Sequence, residues 1–105
     1  MGGIVSDLGV EGWQLRCGEW SPDCILDLRT ADQYSRARLS GSANVPYNVF
    51  QAQSEAIVAG YTHVLLVDEG GARAAEMAVW LRARGYPACY LVGGMSAWRG
   101  PLEGA

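Results

Sequence analysis

The chain has 105 residues, half of them hydrophobic and 18% charged, which suits one domain around one core and excludes a two-domain enzyme or a disordered chain. Eleven acids outweigh eight bases, every base is Arg, and the formal net charge is −3. No basic face is therefore available to neutralise a phosphate backbone, and nucleic acid is not an expected partner.

The longest apolar runs are a few residues and Met1-Gly2-Gly3-Ile4 carries no charged leader, so neither a membrane segment nor a secretory signal is expected and the protein reads as cytoplasmic. Cys17, Cys24 and Cys89 are odd in number and form no Cys-x-x-Cys pair, which argues for reduced thiols rather than a disulfide framework or a zinc site. His63 is the one histidine; beside an apolar run it reads as a strand-edge residue, and no metal or other cofactor is expected.

No linker or repeat divides residues 1-105, so a single domain is expected, with a core over about 8-99 and loose ends at 1-3 and 101-105. Val10, Trp13 and Cys17 recur at helical spacing before Gly18, predicting a short first helix that Gly12 weakens by roughly 1 kcal/mol relative to Ala. Cys24-Ile25-Leu26-Asp27-Leu28 follows a Ser21-Pro22-Asp23 turn and reads as a buried strand. Val64-Leu65-Leu66-Val67 is a second continuous apolar run of the kind that parallel strands show.

Ala74, Met77, Ala78 and Leu81 fall at i, i+3, i+4 and i+7, giving a helix that stops at Gly85 with Arg82 and Arg84 near its C-terminus. Ala88 to Val92 reads as a third strand, halted by Gly93-Gly94, with Ser96-Ala97-Trp98 on a last short helix. Strands alternating with helices predict an α/β fold, a mostly parallel central sheet flanked by helices on both faces.

In such sheets a functional site lies beyond the C-terminal ends of central strands, which selects the loop Asp68-Glu69-Gly70-Gly71-Ala72-Arg73. Two glycines let backbone N–H groups turn inward as an anion-binding nest, the following helix points its positive end there, and Arg73 can fork toward an oxyanion. The same residues also suit an ordinary strand-to-helix turn, in which Asp68 or Glu69 complements the helix N-terminus. Asp27 and Arg29, at the end of another central strand, lie close by topology and read as supporting residues, with Arg29 pairing Asp32 or Glu69. The tryptophans read as core and rim packing, Trp80 stacking on Arg84 one turn later.

From about Val10 to Trp98 the sequence resembles the rhodanese-like sulfurtransferase domains. Ile25-Leu26-Asp27-Leu28-Arg29 is similar to that family's "(L/I)-D-V-R" strand end, and Tyr34 with Arg38-Leu39-Ser40-Gly41-Ser42-Ala43-Asn44-Val45-Pro46 to its "E-Y … G-H-I-P-G-A-I-N-I-P" segment. Arg38 stands for the usual His and Ser40 for the usual Pro. Arg84-Gly85-Tyr86 resembles the "G-(F/Y)" break, and Leu91-Val92-Gly93-Gly94-Met95-Ser96-Ala97-Trp98 the closing "L-x-G-G-(I/M)-x-A-W" segment. Four such segments in the right order are specific where one alone is not.

The resemblance implies a six-residue Cys-x-x-x-x-Arg loop whose Cys carries the sulfur, and here its first and last positions are Asp68 and Arg73. Glu69, Gly70, Gly71 and Ala72 form the cradle between them, while Asp27, Arg29 and Arg38 are the supporting set. A carboxylate oxygen cannot hold a transferable sulfur as a persulfide. Asp68 and Glu69 also set two acids against Arg73, and a like charge at about 4 Å costs roughly 4 kcal/mol at an effective dielectric of 20. The resemblance therefore implies a rhodanese-homology domain without thiosulfate sulfurtransferase activity, a binding or regulatory module for a protein partner or small anion. The alternatives are a sulfurtransferase using Cys17, Cys24 or Cys89, or a hydrolase or phosphotransferase using Asp68 as oxygen nucleophile. Cys24 and Cys89 lie on strands away from the loop, and no acidic cluster stands ready for the activating cation that the second chemistry needs.

Overall fold

A computed structural model describes residues 8–104 apart from Cys17 and Glu19, without the side chains of Trp13 and Arg16. The alternative thiol Cys17, the packing of Trp13 and the loose end at 1-3 fall outside the described residues. In chain order the elements are β1 (Gly9–Val10), α1 (Gly12–Arg16), β2 (Cys24–Asp27), α2 (Ala31–Arg36), β3 (Ser42–Asn44), α3 (Tyr47–Val58), β4 (Val64–Val67), α4 (Ala72–Ala83), β5 (Ala88–Leu91) and α5 (Gly94–Ala97). Among the described residues one five-stranded sheet forms, in the order β1-β5-β4-β2-β3, and every pairing is parallel.

β4 is central because all four of its residues are apolar and both faces of the strand need covering; each is fully buried. Successive side chains point to opposite faces. Val64 and Leu66 enter one core cluster with Phe50 and Val58 of α3 and Met77, Ala78 and Leu81 of α4. Leu65 and Val67 enter a second with Leu39, Cys89 and Leu91, covered by Leu15, Met95 and Trp98. Helices thus flank both faces, and the two cores share one sheet.

The predicted strands and the long helix fall where expected, within a residue or two at their ends. The first helix differs: it begins only at Gly12, because Leu8 and Val10 accept hydrogen bonds from Tyr90 and Val92 at 2.9 Å each and so extend the sheet. Glu11 N–H, donating to the Gln14 side chain at 2.8 Å, then opens α1. Nor is the stretch 101–104 loose. Arg38 and Glu103 exchange two backbone hydrogen bonds of 2.8 Å as an isolated antiparallel bridge, and Trp98 donates its indole N–H to the Pro101 carbonyl at 3.1 Å.

His63 is exposed in the turn before β4, with Trp20 edge-on at 5.9 Å. Asp23 ties that turn to β2 by accepting from the Thr62 N–H (3.0 Å), the Thr62 hydroxyl (3.1 Å) and the His63 N–H (2.8 Å). The backbone donors of Thr62 and His63 hold its carboxyl below the ordinary range. A lowered folded-state pKa adds stability above the unfolded value and loses it as pH falls through the folded one. Urea midpoints of wild type and Asp23→Asn should therefore differ at neutral pH and converge as pH falls through the lowered folded-state range, where the protonated Asp23 comes to match the amide; a constant difference would remove Asp23 from the acid sensitivity.

Candidate functional site

The parallel order places the C-terminal ends of β5, β4 and β2 side by side, and the loop from Asp68 to Arg73 leaves the middle one. Asp68 is 8% exposed, and its carboxylate turns inward. One oxygen accepts from the Gly71 N–H and the other from the N–H groups of Arg73 at 2.9 Å and Ala74 at 3.0 Å. Gly71, the N-cap of α4, sits in the left-handed region at φ 97° and has no side chain with which to cap. Asp68, three residues upstream, does so instead. Both the free N–H groups and the positive end of the helix favour a carboxylate there.

A second turn buttresses the loop from behind. Gly93 and Gly94, at φ 73° and 61°, let the chain fold so that Met95 N–H donates to the Asp68 carbonyl and Ser96 N–H to the Glu69 carbonyl, both at 2.9 Å. A Cβ on Gly94 would lie 2.6 Å from the Glu69 carbonyl oxygen. Strain at positive φ together with that overlap should make Gly94→Ala cost about 2 kcal/mol or more. Equilibrium urea unfolding measures it, and a loss under about 0.5 kcal/mol, the size of an ordinary surface change, would contradict the close approach.

Glu69 leans away from the amides. Its carboxylate accepts from the Ser96 hydroxyl at 3.0 Å and stands 3.6 Å from the Arg29 guanidinium. Arg29 is more deeply engaged with Asp27 through a bidentate pair of 3.0 and 2.9 Å, and it donates to the Ala37 carbonyl at 2.6 Å. The Asp27 side chain is 1% exposed. Of the two expected partners of Arg29, Glu69 is found; Asp32 instead pairs with Arg36 across one helical turn at 2.8 Å. Arg73 stacks on Tyr47, its guanidinium 4.7 Å from the ring centre.

The result is a cleft of about 490 Å³ whose walls include Arg29, Gln33, Tyr47, Asp68, Glu69 and Arg73. Sequence reasoning missed Tyr47 and Ser96. Tyr47 follows Pro46 at a helix start with no periodic signal, and Ser96 sits within the Gly-Gly-Met-Ser turn yet reaches the loop only through the fold. Arg38 is not in this cleft. Its guanidinium stacks on Tyr34 at 5.2 Å while its backbone joins Glu103, so the structure does not bring it to the loop. Among the residues that line the cleft, Asp68 and Glu69 balance Arg29 and Arg73 in formal charge; the buried Asp27, paired with Arg29, is not part of the lining.

Neither described cysteine lines the cleft. Cys89 is buried, and its sulfur accepts from Arg82 at 3.3 Å. Cys24 is half-buried at the start of β2, where burial and then the neighbouring Asp23 charge push its thiol up. Among the described residues no cluster of three His, Cys, Asp or Glu side chains has metal-binding geometry, and no helix is long and apolar enough to cross a membrane.

A parallel five-stranded α/β sheet with a strand-to-helix loop at its centre, closed by a double-glycine turn, defines the class. The chain belongs to the rhodanese-like domain family, whose model matches residues 8–101. Among solved structures it is similar to a rhodanese-like domain protein from Staphylococcus aureus, 24% identical, with TM-score 0.77 over 92% of this chain and 97% of that one. A rhodanese-related protein from Thermoplasma volcanium is 16% identical, with TM-score 0.77 over 90% and 96%. A thiosulfate sulfurtransferase from Pseudomonas aeruginosa is 22% identical, with TM-score 0.73 over 92% of this chain but 19% of that one. No curated protein matches in sequence.

Proposed function

We propose that this rhodanese-like domain does not transfer sulfur and acts as a binding or regulatory module, Asp68 standing at the position of the family's sulfur-carrying cysteine. One observation carries the reading: the Asp68 carboxylate accepts from the Gly71, Arg73 and Ala74 N–H groups. It fills from within the place where a bound anion or a persulfide would draw on the same donors. Carboxylate oxygen holds no transferable sulfur, and Asp68 and Glu69 offset the positive charge of Arg29 and Arg73 that would otherwise gather thiosulfate into the loop. The cleft around Tyr47 and Arg73 is then a recognition surface for a protein partner or a small anion that does not have to enter the loop.

The rival sulfurtransferase reading needs another thiol, and the burial of Cys89 and raised pKa of Cys24 weigh against those two. The oxygen-nucleophile reading needs an Asp68 oxygen turned to substrate, whereas this carboxylate turns inward and three of its about four acceptor sites are taken by loop amides.

Thiosulfate incubation followed by intact-mass spectrometry and a cyanide-coupled assay tests the proposal. No adduct and turnover equal to a control protein are expected; a gain of about 32 Da coupled to thiocyanate release would overturn it, as a persulfide is the required intermediate. Asp68→Ala tests the occupancy argument in the same protein. Removal of the carboxylate frees three inward donors, so sulfate and phosphate should bind the variant and shift the Gly71 and Ala74 amide resonances, while wild type shows no such shifts. Equal affinity in both proteins would mean that Asp68 does not occupy the anion's place.

A further inference from the structure

Away from the loop, α4 turns Ala74, Met77, Ala78 and Leu81 into the core. Its opposite side carries Ala72, Ala75, Glu76, Val79, Trp80 and Ala83 and is open to solvent. Val79 is 42% and Trp80 39% exposed; Ala72, Glu76 and Ala83 are exposed as well, and Ala75 is half-buried. The solvent side of a surface helix is ordinarily charged and polar, yet Glu76 is the one charge among these six residues. Trp80 is held rather than loose: Arg84, one turn on, lies 3.7 Å from its ring centre. Hollows of about 540 and 420 Å³ adjoin the ring, one over Ala75, Glu76 and Val79, the other along α3 from Gln51 to Ala56. A fixed aromatic standing between hollows is the form of an interface anchor.

We propose that this side of α4 is the contact of a symmetric homodimer, in which the α4 helices of two copies pack antiparallel about a two-fold axis at Trp80. The charges along the helix select a second copy. Glu76 and Arg84 stand four residues to either side of Trp80, about 6 Å along the axis in each direction. An antiparallel copy turned about Trp80 therefore sets Glu76 opposite the copy's Arg84, and Arg84 opposite the copy's Glu76, as an isologous contact requires. Both groups have room for that pairing. Glu76 has no ion-pair or hydrogen-bond partner among the described residues, and Arg84 holds Glu55 only at 3.8 Å. The formal charges of Glu55, Glu76, Arg73 and Arg84 cancel, so two copies of a chain of net charge −3 meet there without like-charge repulsion. Neither a basic nor an acidic partner gains from so balanced a face. Trp80 and Val79 then pack against their own copies at the axis and leave water. One helix face is small against the roughly 1,200–2,000 Å² of a stable interface, so the dimer forms with rising concentration. It does not involve Asp68, and stands or falls apart from the loss of sulfur transfer.

The test is sedimentation velocity of the full chain from about 10 µM to 1 mM, the range of a weak contact, in which the mean mass should climb from monomer toward dimer. Glu76→Arg and Arg84→Glu each bring like charges together twice per dimer, and each should weaken association about ten-fold or more. An equimolar mixture of the two variants should associate again, because each supplies the charge that the other has lost. Both side chains are exposed, so neither change touches the core. Dilution of the wild type, followed by amide NMR, checks the contact without any substitution, and its shift changes should concentrate between Glu76 and Arg84. A monomer at 1 mM would leave this face to a different protein and overturn the proposal. So would variants that associate as the wild type does, a mixture that stays monomeric, or dilution shifts centred elsewhere.

Discussion

Asp68→Cys is expected to form a persulfide on residue 68 and to turn over thiosulfate about 10³-fold or more above a control, since nucleophile loss in covalent enzymes costs at least that much. The scaffold for it is already in place. The sulfur would lie close to where the Asp68 carboxylate now meets the amides of Gly71, Arg73 and Ala74, and donors at a helix N-terminus favour a thiolate. Glu69 still opposes the incoming anion, so Asp68→Cys with Glu69→Gln should turn over faster than the single variant, chiefly through a lower KM. Glutamine preserves an acceptor for the Ser96 hydroxyl while removing the charge. If neither variant forms a persulfide, the loop is not a sulfur-carrier loop in geometry, and the position of Asp68 loses its meaning.

The largest stability effect is expected at Arg29. Arg29→Ala leaves the Asp27 side chain, 1% exposed, buried without its bidentate partner, and such a cut costs about 3–5 kcal/mol. For a domain of this size each kcal/mol lowers Tm by about 4–8 °C, so a fall of about 12 °C or more is expected by thermal unfolding. The double variant Asp27→Leu with Arg29→Met removes both charges and should recover much of the loss. A single variant within about 1 kcal/mol of wild type, the range of exposed ion pairs, would show that the pair is solvated after all.

An element of this fold is legible in the sequence where a local pattern carries the information. β2, β4 and β5 are visible because their apolar residues are consecutive, and α4 because its buried residues repeat at helical spacing. α3 is not. Its buried positions are Phe50, Ser54 and Val58, one of them polar, while Val49 on the same helix is 46% exposed. The backbone also leaves helical angles at Gln53, so no clean stripe exists to be read. α2, six residues without a buried one, is defined by a capping box between Thr30 and Gln33 rather than by periodicity. β1 has two residues, and β3 is a polar edge strand recognisable only by its pairing with β2.

The loop itself is legible, including the inward turn of its amides, because turn chemistry and strand order are local and topological facts. The partners of Arg29 are half legible: residue spacing allows Asp32, but Asp32 faces Arg36 on its own helix. The grouping of Tyr47 with Arg73, and of Ser96 with Glu69, joins residues 26 and 27 positions apart in the numbering of the chain. Nothing local marks such pairs. Arg38 shows the opposite error, a residue that keeps its place in the motif but points its side chain at Tyr34.

With its carboxylate turned inward, Asp68 is a standing competitor of every free anion. A group tethered to the chain beside its own binding site acts at a high fixed effective concentration, which a free ligand must exceed in affinity to displace it. On the proposed reading the loop therefore carries its own anion wherever free sulfate or phosphate does not outcompete the tethered carboxylate. Its order is decoupled from the ionic composition around it, in contrast to a site whose stability rises with free ligand. In that reading a single side chain supplies from within the chain the charge that a free ligand would otherwise have to bring.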